Sequence, residues 1–192
     1  MIGLAPAAPT FDDPLEMLRA CHGKILRQCD TLKKLATHLK TDGCDMQARL
    51  AAQGILRYFD SAGKFHHQDE EKDLFPALLA GDEDEQEHLD ALRQRLLREH
   101  VGMLAAWNEL RPVLLQLAEG KNARLDDRLA ERFIGSHTMH IAVENSELLP
   151  LAARLLTPEQ LLQIGRRMAE RRGASFPAPA GEVAGTSVRA VE

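Results

Sequence analysis

The sequence predicts an all-α protein: an up-down-up-down four-helix bundle with a short C-terminal fifth helix and a disordered tail. Three observations carry this. β-branched residues are sparse, while Leu, Ala, Glu, Arg and Gln dominate. Apolar residues recur at alternating steps of three and four over four long stretches, the seam of helices packed nearly antiparallel. Short polar turns join those stretches. With 192 residues, 44% of them apolar and 28% charged, the chain can bury a core and is not disordered as a whole.

The first helix starts at Asp13-Pro14-Leu15-Glu16, where Asp13 serves as N-cap, Pro14 fits the first helical position and Glu16 holds the capping-box position. Its inner stripe runs Leu15, Leu18, His22, Ile25, Cys29, Leu32, Ala36 and Leu39, and Thr41-Asp42-Gly43 ends it. A second helix spans about 45–80, with Ala48, Ala52, Ile55, Phe59, Ala62, His66, Glu70 and Leu74 inward; Pro76 kinks or ends its last turns. The acidic run 82–85 favours a helix N-terminus. The third helix carries Leu89, Leu92, Leu96, His100, Met103, Trp107, Leu110, Leu114 and Leu117 on one face, and Pro112 is expected to bend it. The fourth, about 123–149 with Asn122 as candidate cap, turns Leu125, Leu129, Phe133, His137, His140, Glu144 and Leu148 inward. Thr157-Pro158-Glu159-Gln160 starts a short fifth helix by a second capping-box pattern. The expected domain covers 12–172; residues 173–192, rich in Ala, Pro and Gly without periodicity, read as the tail.

Composition also narrows the function. A net charge of −5 argues against a broad nucleic-acid face. Three cysteines without a CxxC make no disulfide framework and suit a reducing compartment. No apolar run reaches the roughly 18 residues of a membrane span, and Met1 to Pro6 lacks a signal peptide's basic region. The expectation is a cytoplasmic protein with neither nucleic-acid nor membrane partners.

The eight histidines are the chemical signal. His66 and Glu70, four apart, project from one helix face, and His140 and Glu144 repeat the arrangement. In both, Leu follows the Glu by four positions and Pro by six, giving Leu74 and Pro76, Leu148 and Pro150. A lone inward His precedes each pair on the previous helix, His22 and His100. The chain is thus a pseudo-repeat. Two Glu and four His inside an apolar bundle would be a costly core without a counter-charge. A pair of divalent cations resolves it, with carboxylates bridging and imidazoles completing the coordination. An oxygen and nitrogen ligand set without thiolate suits iron or manganese better than structural zinc.

The candidate ligands are His22, His66, Glu70, His100, His140 and Glu144. His137, one turn before His140, is a further candidate: a fifth imidazole, a donor behind the ligands or a satisfied core residue. His67 and Glu71 read as groups behind the ligands or on the surface. His38 and His88 read as solvated helix-end residues, and Lys33-Lys34, Arg166-Arg167 and Arg171-Arg172 as solvated basic faces. Cys29 reads as core packing, Cys21 and Cys44 as ordinary thiols.

These motifs resemble the hemerythrin-like, HHE cation-binding family, over roughly 12–152. That family has a lone His, a His-xxx-Glu before Leu-Phe-Pro, another lone His and a second His-xxx-Glu. The resemblance implies a four-helix bundle with a non-haem di-iron centre bridged by two carboxylates, with the six residues above as ligands. Two iron ions are therefore the expected cofactor, ahead of manganese or zinc. Two departures stand out. Oxygen-carrying members have a second His four positions after the third-helix one, where this chain has Leu104. Their last carboxylate is an Asp five positions after its His, whereas Glu144 follows His140 by four. The site thus resembles the broader bacterial group, including iron-sulfur repair proteins, although the Cys-bearing segment of those proteins is not found ahead of the first helix.

The expected function is binding of O2, NO or a related small oxidant such as peroxide, for sensing, scavenging or iron handling rather than organic turnover. A di-iron oxidase or peroxidase, or an iron-sulfur repair protein, is the alternative. A metal-free or regulatory bundle whose fifth helix and tail recruit a partner is the third reading. No GxSxG, Walker-type or GxGxxG motif competes.

Overall fold

The computed structural model describes residues 10–80 and 85–176, and these are helical, with no strand among them. The acidic residues 82–84 and the tail beyond Phe176 lie outside the described residues, as does the chain before Thr10. Helix α1 (Pro14–Thr41) opens on Asp13, whose carboxylate accepts from the Glu16 amide, and closes at Gly43, whose φ of 73° only glycine adopts without strain.

The stretch expected as one second helix is jointed. It comprises α2 (Met46–Phe59), α3 (Ala62–Asp69), a π turn (Glu70–Leu74) and α4 (Phe75–Leu79). The joint at Asp60-Ser61 has a physical origin. The Ser61 hydroxyl captures the Arg57 carbonyl at 2.6 Å, while the Asp60 carboxylate accepts three hydrogen bonds from Arg111 at 2.9, 3.0 and 3.2 Å. Helix α5 (Gln86–Ala118) carries Pro112 inside it without ending there.

The following helix begins later than the sequence suggests: α6 spans Asp127–Val143, capped by Asp126 rather than Asn122. Asp126 sits in extended backbone and accepts from the Arg128 amide at 2.9 Å, which Asn122 does not. A second π turn (Glu144–Leu148) and α7 (Leu149–Leu155) continue it. Thr157 and Gln160 then form the expected reciprocal capping box for α8 (Pro158–Arg171).

Helix α1 packs against α2 and α6, and α5 packs against the same two, so these four close a ring. Two apolar clusters fill it. One joins Ile25, Leu32, Ile55, Trp107, Leu110 and Phe133; the other joins Leu18, Leu74, Leu96, Leu148, Ile164 and Met168. Between them lies a layer of buried polar residues: His22 between Leu18 and Ile25, His100 between Leu96 and Met103.

Helix α8 lies against α1, α3 and the first π turn. Its approach is close: a Cβ on Gly165 would stand 1.9 Å from the Phe11 carbonyl oxygen. The arginines at its end are not a solvated face. Arg171 and Arg172 pair with Asp69, and Arg171 and Arg167 reach Asp73 at 2.6 and 3.3 Å. Both aspartates are buried, so the basic residues expected in water are held by charges the core could not carry alone.

Candidate metal centre

Both His-xxx-Glu pairs end on a π turn, and each turn begins at the glutamate. The amides of Phe75 and Leu149 reach back five residues, to the carbonyls of Glu70 and Glu144. The prolines explain the widening. Pro76 and Pro150 lack a donor, and their rings would press on the carbonyl four residues back in a regular helix. Each turn thereby orients a carboxylate into the polar layer.

Six side chains converge there: His22, His66, Glu70, His100, His140 and Glu144. Donor atoms of His22, His66, Glu70 and Glu144 lie within 4.8 Å of one another, and so do those of Glu70, His100, His140 and Glu144. The two glutamates belong to both groups. The six residues thus form two overlapping sets of four nitrogen and oxygen donors, and all six are buried.

Hydrogen bonding behind the rings fixes which nitrogen faces inward. His100 Nδ1 donates to Glu71 at 2.7 Å, His140 Nδ1 to Glu99 at 2.8 Å, and His22 Nδ1 to the Asn145 side-chain oxygen at 2.8 Å. With Nδ1 as donor, a neutral ring leaves Nε2 as a lone pair. The Nε2 atoms of His100 and His140 face each other at 3.0 Å, and with both rings neutral they set lone pair against lone pair. A cation between them turns that repulsion into coordination.

The carboxylates give the same signal. His140 Nε2 stands 2.9 Å from Glu144 Oε1, His22 Nε2 3.1 Å from Oε2, and His66 Nε2 3.3 Å from Glu70 Oε1. None of these contacts has a donor aligned for a hydrogen bond, and all four carboxylate oxygens remain without one. Burial pushes the Glu70 carboxyl well above its usual range, with the Glu144 charge adding to it. Burial also acts to raise Glu144, but His140 and His22 outweigh it and hold this carboxyl well below. Burial drives the His66 imidazole well below its usual value. Four converging imidazoles and two carboxylates that repel as a pair make a donor set that fits a divalent cation pair.

The other candidates sit differently. His137 is buried, and its Nδ1 donates to the Phe133 carbonyl at 2.8 Å; its atoms are not among the converging donors. His67 stacks on His100, ring centroids 4.1 Å apart, and a donor atom of His67 lies within 4.8 Å of those of His100 and His140. Glu71 sits behind His100 as one of the two sequence options allowed. Glu99 and Asn145 play the same part and were missed; each lies one position from a candidate ligand, and that adjacency was the available signal. His38 bonds Asp45 at 2.9 Å, and His88 is exposed.

A cleft of about 800 Å³ adjoins this layer, lined by His67, His100 and His137 and by Leu104. No described helix is long and apolar enough to cross a membrane.

Comparison with known proteins gives concordant results. The hemerythrin HHE cation-binding domain matches residues 13–152. An uncharacterised protein of Haemophilus influenzae is 34% identical over 163 residues, covering 85% of this chain and 92% of the relative.

Proposed function

Because the chain belongs to the hemerythrin HHE cation-binding family, we propose that it is a four-helix-bundle protein of the cytoplasm that holds two iron ions and binds O2, NO or a related small oxidant. The carrying observation is the pair of Nε2 atoms on His100 and His140, 3.0 Å apart with both Nδ1 atoms already committed. In this reading His22 and His66 hold one ion, His100 and His140 the other, and Glu70 and Glu144 serve both. Bound iron would supply redox chemistry and an affinity for diatomic ligands.

The chain's own residues do the rest. Glu71, Glu99 and Asn145 fix the tautomers and raise the basicity of the rings they bond. The apolar clusters above and below the layer exclude water. Sensing, scavenging and iron handling all fit such a site, and none of them needs turnover of an organic substrate.

Metal analysis of the full chain purified without chelator tests this. About two irons per chain are expected, as for other carboxylate-bridged bundle sites, with a visible charge-transfer absorption in the oxidised protein and loss of iron in His66→Ala. Less than one iron or manganese per chain, unchanged by His66→Ala, overturns the proposal.

A second reading, a di-iron oxidase or peroxidase, is favoured by one observation. Leu104 occupies the position where oxygen carriers place a further His, and it lines the cleft that reaches His100. Peroxide turnover dependent on Glu144 would support it; turnover that persists in Glu144→Ala excludes it.

A further inference from the structure

We propose that the cleft between α2, α3 and α5 is a binding site for an aromatic carboxylate beside the candidate metal centre. The inference takes from the metal-binding reading only its neighbour; the site itself rests on the cleft's own residues.

Size is the first argument. About 800 Å³ is the volume of a pocket for a drug-sized organic molecule, many times what a diatomic gas or peroxide needs. The walls are the second. Phe59 meets Trp107 at 5.2 Å and Phe133 at 5.0 Å between ring centroids, and Met103 joins them along the cleft. Gly63 keeps that wall in place, since a Cβ there would come within 3.1 Å of the Phe59 ring. Such a lining favours a planar apolar body.

Polar groups mark the ends. On the inner side, His137 gives its Nδ1 proton to Phe133, which leaves Nε2 as an acceptor without a partner among the described residues. At the mouth most charges are already matched: Asp60 binds Arg111, and Glu71 accepts from His100. Lys64 is exposed, lines the cleft and has no ion-pair partner among the described residues. Among the described residues Lys64 is thus the charged group of the cleft that no protein side chain engages, and its complement is a carboxylate on the ligand.

Trp107 is the sole tryptophan of the chain and lines the cleft, so occupancy reads out in its emission without reference to metal or activity. The experiment titrates the purified full chain with 3-phenylpropionate and, in parallel, with 3-phenylpropan-1-ol, by calorimetry and Trp107 emission. Saturable binding of the acid with an emission change is expected. Lys64→Met should weaken the acid about fivefold, the size of a partly exposed ion pair, and leave the alcohol unaltered. Lys72→Met, exposed and outside the cleft, should alter neither. No saturable binding of the acid, or equal losses in both variants, overturns the proposal. Binding of the acid that vanishes on chelation yet ignores Lys64→Met also overturns it, by placing the carboxylate on metal. Iron content measured on the same samples separates the two readings: binding without iron refutes only the metal centre, and iron without binding refutes only this site.

Discussion

Asp69 and Arg172 join the C-terminal cap of α8 to the turn that presents Glu70: the Arg172 guanidinium reaches the fully buried carboxylate at 2.5 Å, one residue before the candidate ligand. Arg171 binds the same aspartate and also Asp73. The helix that seals this face is thus held by charges placed beside the buried polar layer.

Breaking that clamp should be costly. Arg171→Met leaves Asp69 and Asp73 short of a partner in the core, and removing one member of a buried ion pair typically costs about 3–5 kcal/mol. Arg171 keeps some exposure, so a loss of roughly 2–3 kcal/mol is expected. Urea unfolding of metal-depleted protein measures it; a midpoint unchanged from wild type would show the clamp to be ornamental.

Glu70→Gln should act with opposite signs in two states. With metal bound it removes a shared carboxylate, and iron content should fall below that of wild type. In metal-depleted protein it removes a carboxyl whose ionised form burial and Glu144 both oppose and which must otherwise take up a proton on folding, so the melting temperature should rise. Calorimetry of both forms checks the pair of signs, and a fall in both would contradict the assigned repulsion.

Glu99→Gln and Glu71→Gln each weaken an anchor behind a candidate ligand. Substitutions of this kind typically lower metal affinity about 10- to 100-fold. Competition against a coloured chelator should show that range with an unaltered circular dichroism spectrum. Equal affinity in wild type and variants would remove these carboxylates from the site.

Acid should destabilise the protein in part through His137. Burial pushes this imidazole down to about 4, whereas in the unfolded chain it titrates near 6.5. The folded ring's value is the lower one, so its contribution to stability is complete above about pH 6.5 and is lost as pH falls toward 4. His137→Gln should flatten stability against pH across that window. A wild-type curve no steeper than the variant's there would refute the assignment.

Much of this was legible in the sequence because helices carry their own punctuation. The Asp13 cap and the Thr157–Gln160 box are local chemistry, and both form. The pseudo-repeat placed six donors on inward stripes without any knowledge of how the helices pack. What escaped depends on tertiary partners. The joint at Asp60 needs Arg111 from another helix. The buried role of Arg171 and Arg172 needs Asp69 and Asp73, about a hundred positions away in the chain. The π turns lay between these cases: a proline six positions after each glutamate was visible, but its widening effect is readable only against an intact ladder on either side.

The sharing of Glu70 and Glu144 has a consequence for how the molecule divides. Each half of the chain supplies two imidazoles and one carboxylate to its own donor group and borrows the remaining carboxylate from the other half. Neither half holds a complete donor group, so bound ions would tie the two halves to each other. The exchange is near-symmetric, yet the surroundings are not. His100 opens onto the aromatic cleft, while His22 and His66 do not line it. Two ions in kindred cages would therefore differ in traffic, one reachable from outside and the other shut in, and a chelator should strip them in two phases rather than one.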